Sequence, residues 1–265
     1  MDVLSRLVQN LLDLDYIAQV LPTMLGVGLV NTLYLSAVSA LFSIAAGVLL
    51  AVMGLSRRRI LRWPARVYVD VFRGIPAILA IVIIGQGLFW LARDVFSTTS
   101  PYPLGILALT LITSAYLAEI FRSGIQSVDK GQMEASRALG FGYGRAMLLV
   151  VIPQGLRRVL PATVNQFIQL IKLSSLVFYL GLQADQREIF RIAQDFASMT
   201  GNQSSLIAAA VCYLAITVPL THLVNWIDRR LRDGRRVAAP TDDGDDLATT
   251  TPATAPAATP IGARA

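Results

Sequence analysis

The sequence predicts an all-α integral membrane protein with five transmembrane helices and a cytoplasmic loop carrying a short docking helix. Three observations predict it. Only 15% of the 265 residues are charged, 54% are apolar and mean hydropathy is +0.57, whereas a soluble domain carries roughly 25% charged residues. Long uncharged runs recur, each of a length that crosses hydrocarbon as a helix. The remaining charge is clustered, with arginine-rich segments alternating with balanced or acidic ones, the pattern of positive-inside topology. A net charge of +6 can also signal nucleic acid, but here the arginines sit beside apolar runs, so nucleic-acid binding is not expected.

Residues 1–22 interleave Asp2, Arg6, Asp13 and Asp15 with Val3, Leu4, Leu7, Leu11, Leu12 and Leu14. That spacing suits an extracytoplasmic amphipathic segment on the membrane surface, and its acidic start reads as no cleavable signal. The transmembrane domain is expected over 23–231. Its first span, 23–53, lies in an uncharged stretch that ends at Arg57, Arg58 and Arg59. The second, 65–92, places Asp70 and Arg73 at headgroup level, and Pro76 should kink it. A turn-rich segment around Ser100 and Pro101 leads to the third span, 104–122. After the loop 123–161 come the fourth span, 162–182, a polar segment of mixed charge, and the fifth span, 206–227. Residues 232–265 are rich in Ala, Thr, Pro and Asp and are predicted to be a disordered cytoplasmic tail. Alternation of charge is unbroken only with the amino terminus outside and the carboxy terminus inside. Cys212, the single cysteine, excludes an intrachain disulfide and gives no zinc pattern. No internal repeat is evident, against a carrier built from inverted repeats.

The loop 123–161 is charged and glycine-rich amid apolar sequence. Asp129 with Gln132 three residues on forms a capping-box pattern, and Gly140 stands where a C′ glycine ends a helix. A helix that short is marginal alone. Its apolar residues Met133, Ala138 and Leu139 find no obvious core in a polar loop, so it reads as a helix made to dock on a partner.

Within this loop Glu134-Ala135-Ser136, Gly140 and Val150-Val151-Ile152-Pro153 follow the pattern Glu-Ala-Ala, three residues, Gly, nine residues, Ile-x-Leu-Pro. This resembles the cytoplasmic signature of ABC importer permeases, with Ser136, Val150 and Ile152 as small departures. The stretches Phe72-Arg73-Gly74-Ile75-Pro76, Ala115 to Arg122, Pro153-Gln154 and Asn165-Gln166-Phe167 resemble the polar amino acid branch (histidine, glutamine and glutamate permeases). The resemblance spans about 23–231. It implies a type I importer permease in a bacterial cytoplasmic membrane, with five spans and a coupling-helix loop. It also implies a partner ATPase that carries ATP and magnesium, a second permease subunit of the same or a related chain, and an extracytoplasmic solute-binding protein. The residues it assigns to ATPase coupling are Asp129, Gln132, Met133, Glu134, Arg137, Leu139 and Gly140.

No P-loop is present: neither Lys130 nor Lys172, the only lysines, follows a phosphate-cradling glycine motif. ATP chemistry is therefore expected on another chain, and no cofactor, metal or catalytic residue is expected on this one. In the fourth span Asn165, Gln169 and Lys172 share one helical face. An ionisable residue in a span is costly and faces an interior or a water path, so this face is the candidate translocation pathway. Lys172 either attracts a substrate carboxylate or bridges Glu119 or Asp70 to hold a cytoplasmic gate, with Arg73 nearby. The family often has an acidic residue after this lysine; here Leu173 follows. Gln86, between Gly85 and Gly87, reads as a packing position. A stand-alone channel or secondary carrier, and a membrane scaffold without transport, are the other classes the sequence leaves open.

Overall fold

The computed structural model describes residues 3–97 and 100–236, and all regular structure among them is helical. The chain divides into a compact unit, residues 1–228, and a second unit from Arg229 onward. In the second unit residues 229–236 are helical, so helix continues past the expected end of the membrane domain at 231. The rest of the predicted tail, 237–265, lies outside the described residues, as do Met1, Asp2, Thr98 and Thr99.

Helix α1 (Val3–Leu11) is amphipathic and buries no residue. Asp13 then caps α2 (Leu14–Thr23), accepting from the Asp15 and Tyr16 amides at 3.0 and 3.4 Å. Through one π-helical turn, Met24–Gly28, α2 continues into α3 (Leu29–Leu55). The helix that leads into the first span thus begins at Leu14, ahead of the expected span, because a good N-cap stands there. The π turn follows Pro22, whose missing N–H already interrupts the ladder.

The expected second span is two helices. Arg58 stands at the N-cap of α4 (Arg59–Gly74); α5 (Ala77–Gly87) lies at 107° to it, a break rather than the expected kink. Pro76 cannot donate to the helix and forces Ile75 into the extended region, where both residues sit (ψ 136° and 133°). On α4 the charges Arg59, Arg66, Asp70 and Arg73 share one face, while Ala65 and Val69 are buried on another. Helix α5 is apolar apart from Gln86 and leads through Leu88 into α6 (Phe89–Phe96).

Helix α7 (Tyr102–Gln126) is the hub, packing against α3 and α4 and buried along much of its length. Thr32, Ser36, Ser39, Ser43 and Gly47 make a buried stripe of small residues on α3, which lets two spanning backbones approach closely. Ser39 and Ser43 donate to the carbonyls of Ile106 and Thr110 at 3.4 and 3.3 Å. A Cβ at Gly47 would stand 2.8 Å from that of Leu117. From α4, the Tyr68 hydroxyl donates to the Leu111 carbonyl at 2.9 Å.

After α8 (Lys130–Ala138) and α9 (Tyr143–Ala146), a π turn (Met147–Val151) leads into α10 (Ile152–Arg158), then α11 (Leu160–Leu173) and a 3₁₀ segment, Ser174–Leu180. The segments 143–158 and 160–180 meet at 61° and together are apolar enough for one broken span. The fourth span therefore begins inside what the sequence assigns to the loop 123–161. Gly85 takes Leu180 into its surface, while nothing approaches Gly87, so only one of the two glycines around Gln86 serves packing. Helix α12 (Ile189–Thr200) buries Ile189, Ile192 and Ala193 in a cluster with Met24 and Cys212, and α13 (Ser204–Arg236) closes the order. Three helical stretches are long and apolar enough to cross a membrane alone, and with each broken pair taken as one span the number among the described residues is five.

Candidate functional site

The loop built on α8 has the shape its sequence calls for at one end and departs at the other. At its carboxy end Gly140 has φ +88°, the left-handed conformation that glycine adopts without strain. The Phe141 amide donates to the Ser136 carbonyl at 3.2 Å, and the Gly140 amide to the Arg137 carbonyl at 3.0 Å. This pair is a Schellman cap. At the amino end Asp129 caps by accepting from the Gly131 amide at 2.6 Å. Gln132 does not complete a reciprocal box: its Oε1 accepts from Gln154 Nε2 at 3.2 Å, because that amide reaches it from α10.

Met133 also differs from expectation. It packs inward against the cluster of Ile125, Val128 and Val151, and Ser136 beside it is buried. The outward face is Glu134, Arg137 and Leu139, with Leu139 80% exposed. Helix α8 thus has an internal anchor in Met133 and, just after its last turn, an exposed apolar projection in Leu139.

The loop is closed at its base. A Cβ on Gly124 would lie 2.6 Å from the Gly155 carbonyl oxygen, and one on Gly155 would lie 2.7 Å from Ile125 Cα, so α7 and α10 touch backbone to backbone. Arg158 donates to the Ser127 carbonyl across the same junction.

Where α3, α4 and α7 meet, Arg66, Asp70, Arg73, Glu119 and Arg122 line a cavity of about 270 Å³. Arg122 holds Glu119 through two hydrogen bonds, 3.0 and 2.7 Å. Arg73 stands 3.8 Å from the same carboxylate, with its guanidinium over the Tyr116 ring. Glu119 and Arg73 are therefore brought together, but neither Glu119 nor Asp70 bridges Lys172. Arg122, one turn on from Glu119, takes the carboxylate instead.

Lys172 lines a different cavity, of about 340 Å³, with Ser175, Phe190 and Tyr213. Asn165, Gln169 and Lys172 are all exposed along one side of α11 while Ile168, Leu170 and Ile171 are buried on the other. The polar stripe is thus an outward face of a single chain rather than the inside of one.

Glu188 is a residue that sequence reasoning passed over. It is fully buried at the N-cap of α12, outside the spanning segments. Its carboxylate accepts from the Phe190 and Arg191 amides at 2.5 and 2.6 Å and from the Tyr213 hydroxyl at 3.0 Å. The Ile189 amide beside it donates to the Thr32 hydroxyl. The carboxylate so ties α12 to the last span, and the neighbouring Ile189 amide ties α12 to the first. Burial pushes it up to about 7, against the donors and Arg191, which pull it back. Its signal in the sequence is an acidic residue just before an amphipathic run, offset by the basic residues around it.

Broken spans, a capped helix presented on a stapled loop, and a polar outward face together define a helical membrane permease subunit. The chain belongs to the family of binding-protein-dependent transport system inner membrane components, which matches it over residues 43–233. It is 37% identical over 204 residues to the probable glutamine ABC transporter permease protein GlnM of Bacillus subtilis, covering 77% of this chain and 91% of that one. It is 34% identical to the arginine transport system permease protein ArtQ of the same organism, covering 83% and 99%. The glutamate/aspartate import permease protein GltK of Escherichia coli is 32% identical, covering 82% and 97%. The crystal structure of an amino acid ABC transporter with histidines superposes with TM-score 0.67 at 31% identity, covering 87% of this chain and 99% of that one. The type I importer permease fold expected from the sequence is the one observed.

Proposed function

We propose that this chain is a membrane-spanning subunit of an ATP-driven importer for a polar amino acid of the glutamate, glutamine, aspartate and histidine class. The substrate is delivered by an extracytoplasmic solute-binding protein. The relatives named for glutamine, arginine and glutamate/aspartate support the substrate class. The observation that carries the reading is the loop: a short helix anchored by Met133 holds Glu134, Arg137 and Leu139 outward, a surface for an ATPase subunit. ATP and magnesium belong to that partner. Two permease chains, identical or related, face each other across the polar stripe of α11. Closure of the ATPase pair moves the docking helices, which biases a two-state equilibrium between outward and inward opening; loaded binding protein biases the same equilibrium from outside.

Proteoliposomes containing this chain, its ATPase and its binding protein should accumulate radiolabelled glutamine, glutamate, aspartate or histidine only with ATP. Uptake driven by an ion gradient alone would make it a carrier, and ATPase activity indifferent to loaded binding protein would make it a scaffold. In the same system Lys172→Met should reduce uptake about tenfold, the scale of losing one charge-assisted contact, with unchanged assembly on the ATPase. Unchanged uptake would remove Lys172 from the pathway.

In this reading the amino terminus is outside and α8 inside. With Cys212 replaced, cysteine at Met199, which is 86% exposed, should react with an impermeant thiol reagent on intact cells, and cysteine at Ala138 should react only after lysis. Labelling of position 138 in intact cells would reverse the topology.

A further inference from the structure

Beside the docking loop lies a second crevice, of about 380 Å³, which the transport reading leaves without a role. Its volume falls in the range of small-molecule sites, roughly 300–1,000 Å³. Its walls come from three element ends: Val52 and Leu55 from the last turns of α3, Ile125 from the end of α7, and Met147 and Leu148 from the head of the fourth span. All three lie where spanning helices leave the membrane. Leu148 is 62% exposed on a segment belonging to a span, so this side of the crevice opens toward hydrocarbon.

The mouth has a different chemistry. Arg57 and Arg58 border it, Arg59 follows, and no ion pair among the described residues engages Arg57 or Arg58. Arg57 is held in place by its guanidinium, 5.6 Å from the centre of the Tyr143 ring. An apolar slot facing the acyl region with fixed cations at headgroup level matches a molecule with an anionic head and a long apolar tail. A soluble anion satisfies only the mouth, and a neutral lipid only the slot.

We propose that this crevice binds one anionic phospholipid, its phosphate on Arg57 and Arg58 and an acyl chain between Leu55, Ile125 and Leu148. Basic pockets between spanning helices recognise acidic headgroups in this way. The site adjoins α9 and the π turn that follows the docking helix. The inference does not depend on which solute is carried.

Gly144 supplies the test, because it lines the crevice and a Cβ there would meet nothing within 4 Å. Gly144→Leu is therefore the substitution chosen to place an apolar side chain at the slot, its Cβ free of close neighbours. The full chain, purified in mild detergent and titrated with dioleoylphosphatidylglycerol, should retain one lipid by native mass spectrometry. Dioleoylphosphatidylcholine should be retained far less, and glycerol phosphate should neither bind nor compete. Arg57→Gln with Arg58→Gln should weaken retention about thirtyfold, the effect of removing two arginines near the membrane surface. The paired lysine replacements should keep most of it, and Gly144→Leu should abolish it with the arginines intact. Equal retention of the two lipids, undiminished retention in Gly144→Leu, or competition by glycerol phosphate would each overturn the proposal. Thermal midpoints near that of the wild type separate a lost site from a lost fold.

Discussion

Leu139→Asp is expected to abolish ATP-driven uptake while the permease still inserts and folds. Leu139 is 80% exposed and lies just before the left-handed glycine, so an aspartate there disturbs nothing internal. It does place a charge where a partner's apolar groove is expected. Central interface anchors cost 2 kcal/mol or more when lost, so ATPase affinity should fall about thirtyfold or further. Met133→Asp is the contrasting variant: Met133 packs into the cluster around Ile125 and Val151, and its replacement should lower thermal stability and loosen the loop before any binding is measured. Glu134→Lys should uncouple by charge reversal, and Gly140→Val by refusing a φ of +88°. Co-purification with the ATPase and a thermal midpoint for each variant separate the cases. Wild-type uptake by Leu139→Asp and Glu134→Lys together would remove α8 from the coupling surface.

The second large effect belongs to Glu188. Its folded-state value of about 7 lies above the ordinary 4.5. The folded protein therefore holds a proton that the unfolded chain has released across that window. Stability is fully retained below about 4.5 and declines as pH rises to about 7, by a total on the order of 3 kcal/mol, then levels off. Glu188→Gln cannot ionise, so its thermal midpoint should be flat across the same window. Glu188→Ala should be less stable at every pH, because it removes the α12 cap, worth about 1 kcal/mol, and leaves the Tyr213 hydroxyl without its acceptor. Thermal unfolding in detergent at pH 5 and pH 8 decides it: equal slopes for wild type and Glu188→Gln would show that this carboxylate does not set the dependence.

Features written in local chemistry were the legible ones. Charge alternation carried the number of spans, and Gly140 carried the end of the docking helix. The period of Asn165, Gln169 and Lys172 carried their common face. What depends on a distant neighbour was not legible. Met133 turns inward because α7 and the π turn before α10 offer it a core. Gln132 gives its oxygen to Gln154 from another helix. Glu119 is held by Arg122, three residues away, and an intrahelical partner competes with Lys172 at little entropic cost. Pro76 announced a disturbance, but whether two helices bend slightly or part at 107° depends on what each packs against. Glu188 was hidden because a buried carboxylate and a solvated one look alike in a charge count.

The contact of Gly124 with Gly155 gives the docking loop a mechanical character. With the two backbones touching and Arg158 bound to the Ser127 carbonyl, the segment from 127 to 151 cannot pivot at its root like a hinged flap. A push on α8 passes through that root into α7 and α10 together. Helix α7 is in turn welded along the small-residue stripe of α3. A displacement of the docking helix therefore emerges as movement of a rigid block. In the proposed cycle, opening and closing then draw on the breaks within the spans, Ile75–Pro76 and the junction of α10 with α11. The chain is a lever with a stiff handle, one joint beside its root, at Val159 against Gly124, and another at Ile75–Pro76.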